Sequence, residues 1–133
     1  MIKPTLLLFA AALVAVPFAA QAATRLPPLD AQVHCALVFG QVTRSQSQKL
    51  PGADRFPPMA GPAREFFVRT AARTLDEKVA TLETIEAYYL TRLTALQDSF
   101  AKEPDPAAAL TREFAACLPQ FQTVTPEVAP KAR

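Results

Sequence analysis

The chain has 133 residues, of which half are hydrophobic and a fifth are charged, with 14 Lys and Arg against 12 Asp and Glu. A chain of this length forms about one domain with one core. No run of Lys and Arg occurs along it, which argues against the basic surface that is typical of nucleic-acid-binding proteins. We therefore expect one domain, close to neutral in charge, with no nucleic-acid partner.

The first 22 residues have the three parts of a secretory signal peptide. Lys3 supplies a positive charge, residues 6–16 are apolar, and residues 20–22 form a small-x-small cleavage site. An uncleaved membrane anchor is the alternative, but the apolar run is shorter than the ~20 residues that span a bilayer, and Pro17 follows it. We therefore expect a signal peptide over 1–22, no transmembrane segment after cleavage, and a periplasmic or secreted location.

Cys35 and Cys117 are the two cysteines of the chain. In an oxidising compartment, two thiols in a small domain form a disulfide by default. The 81 residues between them lack the close C-x-x-C spacing of redox motifs, zinc sites and c-type haem attachment. The sequence therefore predicts a structural disulfide between Cys35 and Cys117.

The remaining pattern predicts an all-α domain over 23–121, because glycine is scarce and no stretch alternates apolar and polar residues. Asp30 and Asp105 are the predicted N-caps of the first and last helices. Residues 122–133 contain prolines and few apolar side chains, which predicts a flexible tail. The predicted helices cover about 30–49, 63–77, 81–102 and 105–119. The first helix is expected to bury Val33, Cys35, Leu37, Val38, Phe39 and Val42.

Helical spacing of apolar residues continues from 63 to 102, but one helix of that length would be about 60 Å long. A domain of this size has a radius of gyration of only about 13 Å, so a break is expected. Two start signals, a Thr74–Glu77 capping box and Thr81, place that break near 77–81. Four helices, running alternately up and down, also bring the two cysteines to the same end. The predicted fold is a compact antiparallel four-helix bundle tied by one disulfide.

The sequence contains no recognisable catalytic, cofactor or metal motif. His34 is the single histidine, no G-x-S-x-G element accompanies it, and Glu-x-x-His pairs are missing. We therefore predict no catalytic residue, no metal ligand and no cofactor, and we expect His34 at the surface or at the edge of the core.

Polar residues on the third helix form one candidate site. The cluster consists of Glu86, Tyr88, Tyr89 and Arg92. Glu86 with Tyr89 and Tyr88 with Arg92 are spaced to share a helix face, and a ligand held between helices would meet Glu86, Tyr89 and Arg92 there. In the alternative interpretation, Tyr89 packs in the core with its hydroxyl at the rim, while Glu86 and Arg92 stay in water.

The Pro-rich loop between the first two helices forms the other candidate site. It carries Arg55, Phe56 and Met59, and apolar side chains on such a loop are available to a protein partner. Alternatively, Phe56 and Met59 fold over the end of the bundle. Alanine at these two positions separates the hypotheses, since packing residues affect the melting temperature and recognition residues do not.

The order of signal peptide, early cysteine, Pro-rich loop, the Arg-Glu-Phe-Phe-Val-Arg helix at 64–69 and late cysteine resembles small exported helical proteins of Gram-negative bacteria. This resemblance implies a periplasmic setting and carries no activity. The sequence therefore favours a non-enzymatic periplasmic interaction module with a protein partner. A small-ligand carrier or sensor with a pocket between helices is the alternative hypothesis.

Overall fold

A computed structural model of the protein describes residues 25–78 and 81–130, and the predicted signal peptide lies outside these ranges. The described residues form helices and connecting turns without a strand, so the predicted all-α class is confirmed. The helices are α1 (Leu29–Ser47), α2 (Ala60–Lys78), α3 (Leu82–Ala101), α4 (Pro106–Cys117) and the short α5 (Phe121–Val124). Within the described ranges, no helix is both long enough and apolar enough to cross a membrane.

Helix α1 is the centre of the fold, since it contacts α2, α3 and α4. A helix that is covered on several sides needs a wider apolar face than a surface helix, and α1 has one. All six residues of the predicted buried stripe are buried, and Ala36 and Gln32 are buried with them. The buried residues of α1 are Gln32, Val33, Cys35, Ala36, Leu37, Val38, Phe39 and Val42.

Four phenylalanine rings meet in the middle of this core. The ring of Phe39 stacks on Phe121, with centroids 4.3 Å apart, and meets Phe66 and Phe114 edge-on at 4.9 and 5.8 Å. Such aromatic pairs contribute about 0.5–1.5 kcal/mol beyond their area burial. Phe39 therefore ties α2, α4 and α5 to α1.

The predicted disulfide is confirmed. Cys35 and Cys117 are bonded, their Cα atoms lie 5.3 Å apart, and both side chains are buried. The bond joins the second turn of α1 to the last residue of α4.

Two predicted helix starts differ from the structure. Helix α1 begins at Leu29, so Asp30 lies inside the first turn and does not cap it; its carboxylate instead accepts hydrogen bonds from Tyr88 and Arg92. Thr74 lies inside α2, where its hydroxyl donates to the carbonyl of Thr70. These polar side chains have partners elsewhere in the fold, and the helix ends are set without them.

The other two start signals have the predicted role. The hydroxyl of Thr81 accepts a hydrogen bond from the backbone N–H of Thr84 at the start of α3. Helix α2 ends at Lys78, so the two helices separate within the predicted 77–81 region. Asp105 caps α4 in the same way through the N–H of Ala108.

Both ends of the described chain are fastened to α2 by arginines one turn apart. Arg73 donates to the carbonyl of Pro27 at 2.6 Å and to the buried amide oxygen of Gln32 at 2.7 Å. Arg69 donates to the carbonyl of Val124 at 2.9 Å and pairs with Glu127. Each terminal segment therefore has a charge-assisted attachment.

The core continues past residue 121, which is the predicted end of the helical domain. Val124 and Thr125 are buried beside Phe121, and the segment that follows α5 contacts α2. Residues 122–130 thus pack on the domain, and the last three residues of the predicted tail lie outside the described ranges. Val124 and Ala129 are the apolar side chains of this segment that pack on the core, and two are too few to give a periodic signal.

Removing the disulfide should destabilise the protein strongly. The bond separates partners 82 positions apart, and closing a loop of this length is worth about 4.5 kcal/mol as an upper figure in the chain-entropy treatment. We expect the double variant Cys35→Ser, Cys117→Ser to lose about 3–4 kcal/mol in urea unfolding. The reduced wild-type protein is the control and should unfold like the variant. An unchanged free energy of unfolding would contradict the prediction.

Candidate functional site

The loop between α1 and α2 turns its large apolar side chains inward. Met59 is fully buried, and the ring of Phe56 packs edge-on against Phe114 at 5.0 Å. The amide of Gln46 fastens the loop, because it donates to the carbonyls of Phe56 and Pro57 and accepts from the N–H of Met59. This packing matches the alternative in which Phe56 and Met59 fold inward, and Arg55 is the exposed member of that candidate set.

The buried state of Met59 predicts a clear result for alanine substitution. Met59→Ala should lower the free energy of unfolding by about 2–5 kcal/mol, because it removes buried methylenes and leaves a cavity. Leu50→Ala in the same loop is the matched control and should change it by less than about 0.5 kcal/mol, since Leu50 is 46% exposed. Chemical denaturation measures both. Equal losses for the two variants would refute the inward packing.

A groove of about 420 Å³ lies beside this loop, and we call it the loop groove. It is bounded by α1, by residues 50–56 of the loop, and by the α3–α4 turn with the start of α4. Its apolar walls include Pro51, Phe56, Phe100, Pro106, Ala107 and Leu110. Its polar side chains are Gln41, Ser45, Arg55, Asp105 and Thr111. Ligand sites are typically concave and mostly apolar, with a few placed polar groups, and the loop groove has this character.

The two charged side chains of the loop groove, Asp105 and Arg55, differ in their partners. The carboxylate of Asp105 accepts the N–H of Ala108 and faces the positive end of α4. The guanidinium of Arg55 lies over Gly52, since a Cβ atom on that glycine would be 3.8 Å from the Arg55 Nε. Among the described residues Arg55 has no acidic partner. The Arg55 guanidinium is therefore a cationic group at the groove rim with no acidic partner among the described residues.

A second, more open groove of about 650 Å³ is lined by the same loop. It shares Leu50 and Phe56 with the loop groove, and its further lining includes Lys49 and Asp54. Opposite charges on neighbouring exposed side chains offset each other and remain hydrated. Although it is larger, this groove is a weaker candidate, because it is less enclosed and its walls come from one loop and the helix ends beside it.

Glu86, Tyr89 and Arg92, which were expected to face a ligand together, have different surroundings in the structure. Tyr89 is buried, its hydroxyl lies 3.1 Å from that of Thr74, and burial raises its pKa. Glu86 is exposed, and Arg92 pairs with Asp30. None of the described grooves is lined by Glu86 or Tyr89. The alternative interpretation, in which Tyr89 belongs to the core, describes this region.

Asp30, Tyr88 and Arg92 instead form a cluster that links the start of α1 to α3. The Tyr88 hydroxyl and the Arg92 guanidinium each donate to Asp30 at 2.8 Å. Lys78 and Arg92 both lie over the Tyr88 ring, at 4.9 and 4.8 Å from its centroid. The hydrogen bond from Tyr88, and then the charge of Arg92, lower the pKa of Asp30. Burial, and then the bond to Asp30, raise the pKa of Tyr88. Each charged group has a partner, so this cluster is structural.

The lowered pKa of Asp30 sets a pH dependence. Its usual value is 3.8 and its value in the fold is lower, so the pairing is fully present above about pH 5 and is lost as pH falls through the folded pKa. Tyr88→Phe removes the main cause and should move the Asp30 pKa upward in a carboxyl NMR titration. Tyr89→Phe is the control and should leave it nearly unchanged. A Tyr88→Phe titration that matches the wild type would refute the assignment.

His34, expected at the surface or core edge, is part-exposed and pairs with Glu113 on α4. Its Nε2 lies 3.0 Å from the Glu113 carboxylate, next to the disulfide. Sequence spacing gave no signal for this pair, because the two residues are 79 positions apart. Within residues 25–78 and 81–130, no three His, Cys, Asp or Glu side chains are placed to hold a metal ion.

Comparisons with protein-family models, with curated proteins and with solved structures gave no match.

Proposed function

We propose that the protein is a non-enzymatic, exported binding module whose loop groove receives an apolar group of its periplasmic partner. The observation that carries this proposal is the groove itself, with mostly apolar walls and an uncommitted arginine at the rim. Hydrophobic burial of a partner group supplies binding energy in such a site, and the few polar side chains supply orientation.

An antiparallel four-helix bundle is part of the proposal, because it places the α1–α2 loop beside the α3–α4 turn. Contacts between α1 and α2 run in opposite chain directions, from Gln46 with Met59 to Gln32 with Thr70. The pairing of Cys35 with Cys117, the last residue of α4, supports the same alternation for α1 and α4. The loop and the turn then meet at one end and form the groove between them.

Export is supported by the disulfide and by the signal-peptide pattern. Structural disulfides persist in oxidising compartments such as the bacterial periplasm, and the bond closes most of the described domain into one loop. The signal features of residues 1–22 are those of a secreted protein. Together they favour a periplasmic or secreted protein that binds its partner there.

A small-ligand carrier is the second candidate, favoured by the volume of the loop groove. Pockets for small molecules are typically about 300–1,000 Å³, and the groove measures about 420 Å³. In this alternative the ligand site is at the loop and the α3–α4 turn, since Glu86 and Tyr89 line none of the described grooves.

Blocking the groove tests the proposed function. Ala107 lines the groove and Ala108 does not, although both are exposed at the start of α4. Ala107→Trp should reduce affinity capture of a specific protein from periplasmic extract at least about tenfold, which corresponds to about 1.4 kcal/mol of binding energy. Ala108→Trp is the matched control and should capture as the wild type does. Equal capture by the two variants, or no specific capture by the wild type, would overturn the proposal.

A further inference from the structure

The loop groove has the features of a site for an amphipathic ligand, apolar along its walls and positive at one point of its rim. Phe100 and Leu110 are half-buried there beside Phe56, so their remaining apolar surface is available to a hydrocarbon. Arg55 is exposed and has no acidic partner among the residues that the structure describes. A guanidinium binds a carboxylate through two parallel hydrogen bonds, which gives geometric specificity as well as energy.

The backbone around the groove offers few free hydrogen-bonding groups, which favours an alkyl chain over a peptide as the ligand. In the loop, the N–H groups of Ala53, Arg55 and Phe56 donate to carbonyls of the same loop. The α-helical backbone of α1 and α4 is paired internally, and no strand edge occurs in the described residues. An extended peptide needs main-chain partners when it is buried, and these walls offer few. A hydrocarbon chain needs none.

We propose that the loop groove binds an unbranched alkyl carboxylate of the fatty-acid class, with the alkyl chain along the apolar walls and the carboxylate on the Arg55 guanidinium. The proposal rests on the second candidate function, the small-ligand carrier, because it names the ligand class that the same groove accepts. The Asp105 carboxylate forms no ion pair with Arg55 in the described residues, and it accepts the N–H of Ala108 at the start of α4. The side chains of Gln41 and Ser45 on α1 supply a polar border to the groove.

Three ligands with the same ten-carbon chain and different head groups measure the contribution of the head-group charge to binding. Decanoate, 1-decanol and decyltrimethylammonium, all below their aggregation limits, are titrated into the exported protein by calorimetry. Decanoate should bind about tenfold more tightly than decanol, since a hydrogen bond between charged groups is stronger than one to a neutral hydroxyl, and decyltrimethylammonium should bind more weakly than decanol. Equal affinity for the three ligands, or no binding of decanoate, would overturn the proposal.

Variants then assign the effect to the groove. Arg55→Gln should weaken decanoate about tenfold and leave decanol unchanged, whereas Arg44→Gln, an exposed arginine of α1 that does not line the groove, should change neither. Ala107→Trp should weaken both ligands, and Ala108→Trp should weaken neither. Thermal melts of each variant establish that it is folded. If Arg55→Gln keeps the wild-type preference for decanoate over decanol, the carboxylate assignment is wrong.

A peptide with an apolar C-terminal residue is the competing carboxylate source. If such a peptide binds in the groove more tightly than decanoate, the alkyl assignment is overturned. The failure of this proposal differs from failure of the proposed function. Loss of partner capture in Ala107→Trp, without decanoate binding to the wild type, would retain the binding module and reject the alkyl carboxylate.

Discussion

The structure depends on the burial of α1, and within α1 on the side chain of Phe39. Its ring contacts rings from α2, α4 and α5, so helices that are distant in sequence pack against one group. A central helix also buries polar atoms, which is costly unless they are hydrogen-bonded. Gln32 is 2% exposed; its amide donates to Thr70 and accepts from Arg73. The same helix therefore requires both an aromatic core and a fully paired polar contact with α2.

Much of the fold was predictable because it depends on local patterns. Apolar spacing identified the buried residues of α1, and short-range capping chemistry identified Thr81 and Asp105 as helix starts. The misassigned caps have long-range partners. Asp30 is held by α3 residues about 60 positions away, and Thr74 meets α3 from inside α2. Local sequence carries no information about such partners, which compete with the cap for the same side chain.

The candidate site was less predictable, for a related reason. Sequence composition predicted a candidate site in the loop with Phe56 and Met59. The inward direction of those side chains depends on the amide of Gln46, which is hydrogen-bonded to the loop backbone. The loop groove joins residues of α1, the loop and the start of α4, so no single motif contains it. Because Phe56 is buried in the loop, its ring forms part of the groove wall. Arg55, which the sequence analysis named as a loop residue, is one of the residues that line this groove.

The attachment of both ends of the described residues to α2 gives the disulfide a further role. The carbonyls held by Arg73 and Arg69 belong to Pro27 and Val124, eight and seven residues from Cys35 and Cys117. With the sulfurs joined, each terminal segment is a short tether, and short tethers hold a group near its partner at millimolar effective concentration. With the sulfurs reduced, side-chain packing alone holds α4 and the segment after it to α1. The disulfide thus keeps the segments that contain Pro27 and Val124 close to α2, although neither segment contains a cysteine of the bond.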